Sequence, residues 1–183
     1  MLDHQDGKRK LAEEVTANKK FIAGKDVAMH VDRQSKLSAV ATMIQALDDG
    51  GATSVTISTD SRPEYPKAVA FAPRQTARGA PPCSVVAQVL AERKNAVWAL
   101  KGGTAIKSSK GLAGPDMVVT ADHLEAAAKR CKSDFVFVSA EDGVEWGLVY
   151  DLAAATQTLE KAKLGKVVLL EPPPIAGRPV TLN

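Results

Sequence analysis

Three histidines (His4, His30 and His123), two cysteines (Cys83 and Cys131) and two acids in similar settings (Asp32 and Glu141) are the residues here best equipped for chemistry. No histidine has a second ligand at helical spacing, and neither H-E-x-x-H nor a paired-cysteine motif occurs, so no metal site is expected. His30 falls on the polar face of an extended run and His123 in the first turn of a helical one, which makes both expected surface residues. Gly102-Gly103-Thr104-Ala105-Ile106-Lys107-Ser108 has the composition of a phosphate loop, but the G-x-x-x-x-G-K-[ST] spacing is not met. Its glycines separate two short extended runs, which predicts a hairpin with a primed turn. Asp48-Asp49-Gly50 and Glu141-Asp142-Gly143 lack the alternating oxygen ligands of a calcium loop. The first is expected to be a solvated helix stop, and the second to place acids near a helix N-terminus. No G-x-S-x-G elbow or Cys/His dyad is present. No catalytic, cofactor-binding or metal-ligating residue is assigned, no cofactor is expected, and the chain is read as not an enzyme.

The cysteines are too far apart for a zinc site or a redox pair. Two buried thiols are one reading. A disulfide tying the segment between two modules to a helix end is the other, and it would need an oxidising compartment.

Asp32 and Glu141 belong to a passage that occurs twice. Val27-Ala28-Met29-His30-Val31-Asp32 is followed by a helical stripe of Leu37, Val40, Ala41, Ile44 and Leu47, a Gly50-Gly51 break and the run Val55-Thr56-Ile57. Val136-Phe137-Val138-Ser139-Ala140-Glu141 is followed by Trp146, Val149, Leu152 and Ala153, a break at Gly165 and Val167-Val168-Leu169-Leu170. The two align without a gap from Val27 and Val136 to the middle of the helix, which argues for two copies of one strand–acid–helix–glycine–strand module. Residues 25–58 and 134–171 should therefore share one topology. An acid between strand and helix is explained locally by capping, and its recurrence favours a shared structural role over paired active sites.

Around these modules the chain divides readily. A helix is expected over Lys8 to Lys20. The stretch from Thr59 to Cys83 holds five of the ten prolines (Pro63, Pro66, Pro73, Pro81 and Pro82), a density incompatible with a helix or central strand. An edge strand over Lys67 to Phe71 is possible inside it. Val85 to Arg93 fits a helical face with Ser84 as N-cap, and a strand is the alternative. Then follow the hairpin, a loop from Ser108 to Pro115, a helix capped by Thr120, the strand Phe135 to Ser139, a long helix from Glu145 to Lys163 and the strand Lys166 to Glu171. Past Pro172-Pro173-Pro174 the tail is expected to be loosely held.

Composition narrows the function classes. The 183 residues carry a net charge of only +3, with scattered Lys and Arg and 4% aromatic residues, so no nucleic-acid surface is expected. Lys8-Arg9-Lys10 beside Glu13 and Glu14 is read as a solvated helix face. No apolar run reaches the roughly 18 residues of a membrane span, and no signal peptide is visible.

The segment Ala140-Glu141-x-x-Val144-x-Trp146-Gly147-x-Val149-x-x-Leu152 resembles the one that marks the periplasmic domain of ExbD/TolR proteins: an acid before a turn, then an aromatic-glycine pair opening a helix. That family usually has Asp and Tyr where Glu141 and Trp146 stand. The first repeat keeps the acid, Asp32, but has Leu37-Ser38 in place of the aromatic-glycine pair. The element order from Asn95 to Glu171 also matches that domain, and residues 8–58 match more weakly. The resemblance implies an α+β fold of two small ExbD/TolR-like domains, each a mixed sheet covered by two helices (β-β-α-β-α-β, the first lacking the opening hairpin). Residues 8–60 would form the first, incomplete module, 61–83 a Pro-rich linker, 84–171 the second module and 172–183 a tail.

The resemblance further implies a non-catalytic accessory subunit of a proton-motive-force-driven inner-membrane complex. Its implied partners are an ExbB/TolQ-like channel subunit and a TonB/TolA-like protein, with peptidoglycan as a further ligand and a homodimer or an intrachain pseudo-dimer as the assembly. The implied location is periplasmic, as the soluble part of an inner-membrane-anchored protein. The family's proton-handling Asp lies in a transmembrane helix and corresponds to no residue here. The incomplete first module leads to the expectation of an excised periplasmic region. Two other classes remain open: an envelope-glycan-binding module, and a cytoplasmic α/β protein that binds a small molecule.

Overall fold

The computed structural model describes residues 5–77, 83–114, 117–131, 134–159 and 164–180. Within them, both modules build one mixed eight-stranded sheet, an α+β architecture, in the order β1-β2-β3-β8-β7-β4-β5-β6. The first module opens with α1 (Gln5–Ala17) and the single turn α2 (Lys19–Ile22), then runs β1 (Asp26–His30), α3 (Leu37–Asp49) and β2 (Ser54–Ser58), with β1 and β2 adjacent and parallel. The second copy of the repeat does the same with β7 (Phe135–Ala140), α6 (Trp146–Gln157) and β8 (Lys166–Leu169). The two repeats therefore share one β-α-β topology. The buried stripe of α3 is the one read from spacing: Leu37, Val40, Ala41, Ile44 and Leu47. The last helix ends at Gln157 with Thr158 as its C-cap, short of the expected end at Lys163; residues 160–163 lie outside the described residues.

The segment between the modules is more ordered than its prolines suggest. β3 (Ala68–Phe71) lies inside the sheet instead of at its edge, antiparallel to β2 and parallel to β8. It joins the two halves of the sheet through the Phe71–Val167 pairing and the bond from Ala72 N–H to the Val167 carbonyl (2.7 Å). Its prolines flank the four-residue strand, so none removes a ladder bond. A further turn, α4 (Arg74–Ala77), follows; residues 78–82 of the expected linker lie outside the described residues.

Residues 83–89 form a strand, β4 (Cys83–Val89), and not the helix for which Ser84 would be the cap. Every residue from Ser84 to Val89 is buried, because β4 lies between β5 and β7 with both faces covered. Such a strand loses the alternation that would distinguish it from a helical stripe. β5 (Asn95–Lys101) and β6 (Thr104–Leu112) complete a three-stranded meander, one strand more than the expected hairpin. Gly102 and Gly103 form its turn with φ of 56° and 75°, a left-handed geometry that excludes most other residues. β6 runs through most of the expected loop, whose last residue, Pro115, lies outside the described residues. Helix α5 (Val118–Cys131) begins before Thr120, which is buried within it and accepts a bond from Asn95 Nδ2 (2.9 Å) instead of capping.

Side chains from α3, α5 and α6 form one large core with one face of the sheet, including Ile57, Phe71, Val85, Ala87, Val136, Val138 and Val167. The alternate residues Val86, Trp98, Leu100, Phe135, Phe137, Val168 and Leu170 form a second cluster on the other face. There the tail is not loose. Gly177 and Val180 donate to the carbonyls of Ala105 and Gly103 (2.8 and 2.7 Å), Ala105 donates to that of Arg178 (3.1 Å), and Val180 packs on the second cluster. Residues 181–183 lie outside the description.

Of the two readings of the cysteines, the structure has the disulfide. Cys83 at the start of β4 is bonded to Cys131 at the end of α5, with Cα atoms 5.0 Å apart. Closing a loop across 48 residues restricts the unfolded chain by about 4 kcal/mol. Reduction, or the Cys83→Ser/Cys131→Ser pair, is therefore expected to lower the unfolding free energy by that order in urea titrations. A midpoint unchanged by reductant would refute the expectation.

Candidate functional site at the junction of the two repeats

The loops that carry the recurring acids follow β1 and β7 and lead into α3 and α6. Neither acid caps its helix: the N-cap positions are Lys36 and Glu145, and neither makes a side-chain capping bond. Asp32 Oδ1 accepts from Gln34 N–H (2.7 Å), closing its own turn. Glu141 Oε2 accepts from Ala91 N–H (2.8 Å) and so ties the end of β7 to the β4–β5 turn. The bonds these acids make organise loops and not the helix ends that capping predicted.

These two loops meet. Lys36 and Glu145, at equivalent positions of the repeats, form an antiparallel bridge. Trp146 N–H donates to the Ser35 carbonyl and Gly147 N–H to that of Arg33, each at 2.8 Å. The first helical donors of α6, which have no partner within the helix, are thus satisfied by the other repeat. Trp146 is fully buried between Phe71 and Tyr150, with ring centroids 5.6 and 6.2 Å away. Its Nε1–H donates to Thr59 Oγ1 (2.9 Å), and that hydroxyl donates to the Val31 carbonyl (3.0 Å) at the end of β1. Tyr150 OH donates to the Pro66 carbonyl (3.1 Å), and burial pushes its phenol pKa up, with the Asp151 charge adding to the effect.

Arg33 crosses the start of α6. Its guanidinium binds Asp151 through both nitrogens (2.9 and 2.7 Å) and also donates to the carbonyls of Asp60 (2.6 Å) and Gly147 (3.2 Å). The Asp151 side chain is only 5% exposed, and its hydrogen bond raises the Arg33 pKa further. A Cβ on Gly147 would stand 2.9 Å from both Cβ and Nε of Arg33, so glycine is required at that crossing. Sequence reasoning missed Arg33 and Asp151. One sits in a polar turn and the other at an interior helix position, and nothing in their spacing marks a pair separated by 118 residues.

Beside the bridge lies a groove of about 330 Å³, at the ends of β7 and β8 and the start of α3, lined by Lys36, Ser38, Glu141, Asp142, Glu145 and Glu171 among others. Both repeats contribute to it, and its polar lining is mostly carboxylate. Burial pushes the Glu171 carboxyl up, against the pull of Arg74 and Lys8, and Asp142 adds to the rise. Asp48, expected in a solvated stop, is buried instead and accepts from Arg74 N–H (3.0 Å); burial raises its pKa as well. His30 and His123 are exposed, His30 with Nδ1 3.2 Å from Ser58 Oγ, while His4 lies outside the described residues. Lys8 and Arg9 are exposed on α1; Lys8 borders the cleft between α1 and α3, and Arg9 pairs with Glu13 (3.0 Å).

Arg33→Ala would leave Asp151 buried and uncompensated, and is expected to cost roughly 2–3 kcal/mol, at the low end for a broken pair because Arg33 is a third exposed. Gly147→Ala is expected to cost about 1–3 kcal/mol by overpacking, and the two losses should be less than additive in a double-mutant cycle read by urea unfolding. Glu171, with a raised folded pKa, contributes stability that is fully present below the ordinary glutamate value of about 4.3 and lost as pH rises through the folded value. Glu171→Gln should therefore be more stable than the parent at neutral pH, with a flatter dependence of the urea midpoint over that window. A scan against protein-family models returns no match, and no curated protein matches the chain.

Proposed function

We propose that this chain is a tandem ExbD/TolR-like periplasmic region, a non-catalytic accessory part of a proton-motive-force-driven inner-membrane complex, working through protein contacts. The observation that carries this reading is the pairing of equivalent positions, Lys36 and Glu145, across an antiparallel bridge. The motif segment of the second repeat lies against its counterpart in the first, which supports the intrachain pseudo-dimer among the assemblies that the resemblance implies. The Cys83–Cys131 disulfide supports an oxidising compartment such as the periplasm. The groove beside the bridge offers hydrogen-bond acceptors and negative charge, which suit a basic or amide-bearing segment of a partner.

Photo-crosslinkable residues at Ser38 and Asp142, on the two sides of the groove, test the reading in cells that also produce an ExbB/TolQ-like channel subunit and a TonB/TolA-like protein. Crosslinks to either protein that weaken when the proton gradient is collapsed are the expected result. Retention on isolated cell wall without such crosslinks would favour the glycan-binding module instead. Crosslinks to neither, in a chain that remains in the cytoplasm with reduced cysteines, would overturn the proposal.

A further inference from the structure

We infer that the turn α2 and the loop after it dock on an anionic lipid bilayer, with the Phe21 ring at the headgroup–acyl boundary and lysines on the headgroups. Phe21 is the only exposed aromatic side chain among the described residues, 61% open to water. A held backbone imposes that exposure. Phe21 N–H donates to the Asn18 carbonyl and Ala23 N–H to that of Lys19, each at 2.8 Å. Gly24 N–H to the Gly51 carbonyl and Thr53 N–H to that of Lys25, also at 2.8 Å, tie the loop to the end of α3 and the approach to β2. Ile22 takes the inward place, packed against the core, and successive residues of a helical turn face different ways. Phe21 is therefore held outward.

The surroundings of the ring are basic. Lys19, Lys20 and Lys25 are exposed, and the chain has no acid between Glu14 and Asp26. Among the described residues, none of these lysines forms an ion pair. Lys20 Nζ stands 4.8 Å from the centroid of the Phe21 ring, so charge and apolar surface are presented at one point. Two acids adjoin the turn. Asp26 accepts from the hydroxyls of Ser54 and Thr56, and Asp49 lines the cleft between α1 and α3 that Lys19 also borders. Lys20 and Lys25 are left to act with the ring.

This combination selects the partner. A small anion has no use for an exposed ring, and a nucleic-acid strand is held by a basic track with several aromatic platforms. A bilayer surface accepts a single ring at its interface, while lysine stems lie along the apolar boundary and their ammonium groups reach lipid phosphates. Each lysine near an anionic surface strengthens partitioning about fivefold, so the docking is reversible and serves to orient a chain already close to the membrane. Bilayer docking needs only the chain and a lipid surface, so it stands or falls apart from the channel partners proposed above.

Cosedimentation of the full chain at millimolar lipid tests the docking, comparing vesicles of phosphatidylcholine alone with vesicles carrying about one-third phosphatidylglycerol. Binding to the anionic vesicles alone is expected, and added salt should weaken it. Lys20→Glu/Lys25→Glu should weaken it at least about twentyfold, and Phe21→Ser several-fold. Because Trp98 and Trp146 are buried, the emission of Phe21→Trp should shift to the blue when anionic vesicles are added, which reports insertion of the ring. Urea midpoints check that the variants fold, and if the charge reversals do not, the Phe21→Trp emission decides. No binding, equal binding to both vesicles, binding that survives the variants, or an unshifted emission overturns the inference. So does retention on a single-stranded oligonucleotide in place of vesicles.

Discussion

Arg33 lies across Gly147 and grips Asp151, and the joining of the two repeats depends on that crossing. A carboxylate within an otherwise apolar helix that packs on the sheet costs several kcal/mol unless a cation and further hydrogen bonds meet it. The cation comes from the turn after β1, in the other repeat, so the buried carboxylate of one repeat is compensated only when the other is in place. The guanidinium can reach Asp151 only by passing over the first turn of α6, and glycine is the residue that leaves room.

The aromatic-glycine pair thus divides two tasks between adjacent residues. Trp146 fills the space between Phe71 and Tyr150 and reaches Thr59, fixing the distance of α6 from the first repeat. Gly147 opens the way for Arg33. The first repeat, with Leu37-Ser38 at these positions, has neither device. The relation is one-sided: the first repeat inserts and the second receives. An asymmetric pair of this kind places one acidic groove beside the bridge, composed of residues from both copies. It also leaves β1 as an edge strand where its counterpart β7 is covered by β4.

Where the residues on one side of an element face the core and those on the other face water, the periodicity could be read directly. The stripe of α3, the alternation of β1, the strand–helix–strand order of both repeats and the Gly102-Gly103 turn were legible for that reason. Legibility failed where both sides are buried or where the partner is remote. β4 carries apolar residues on both faces and imitates a helical stripe. β3 is a short strand among prolines, held by its neighbours on either side instead of by propensity. The tail is ordered by the apolar face formed by Trp98, Phe135 and Phe137, none of which is near it in sequence. At the junction, Trp146, Gly147 and the two acids stood out through recurrence and motif. Arg33 and Asp151, which complete the contact, had no such mark.

The sequence by itself determined that this protein contains one module twice, that the module alternates strand and helix, that an acid recurs at its turn, and that the second copy adds an aromatic-glycine pair there. These are local properties, set by the spacing of side chains along one segment and the backbone freedom of single residues. Only the tertiary structure decided that the two modules share one sheet through β3, that Cys83 is bonded to Cys131, and that Arg33 of one repeat neutralises Asp151 of the other. Each of these joins residues far apart in the chain, and the free energy of such a contact exists only once the segments between them have been ordered.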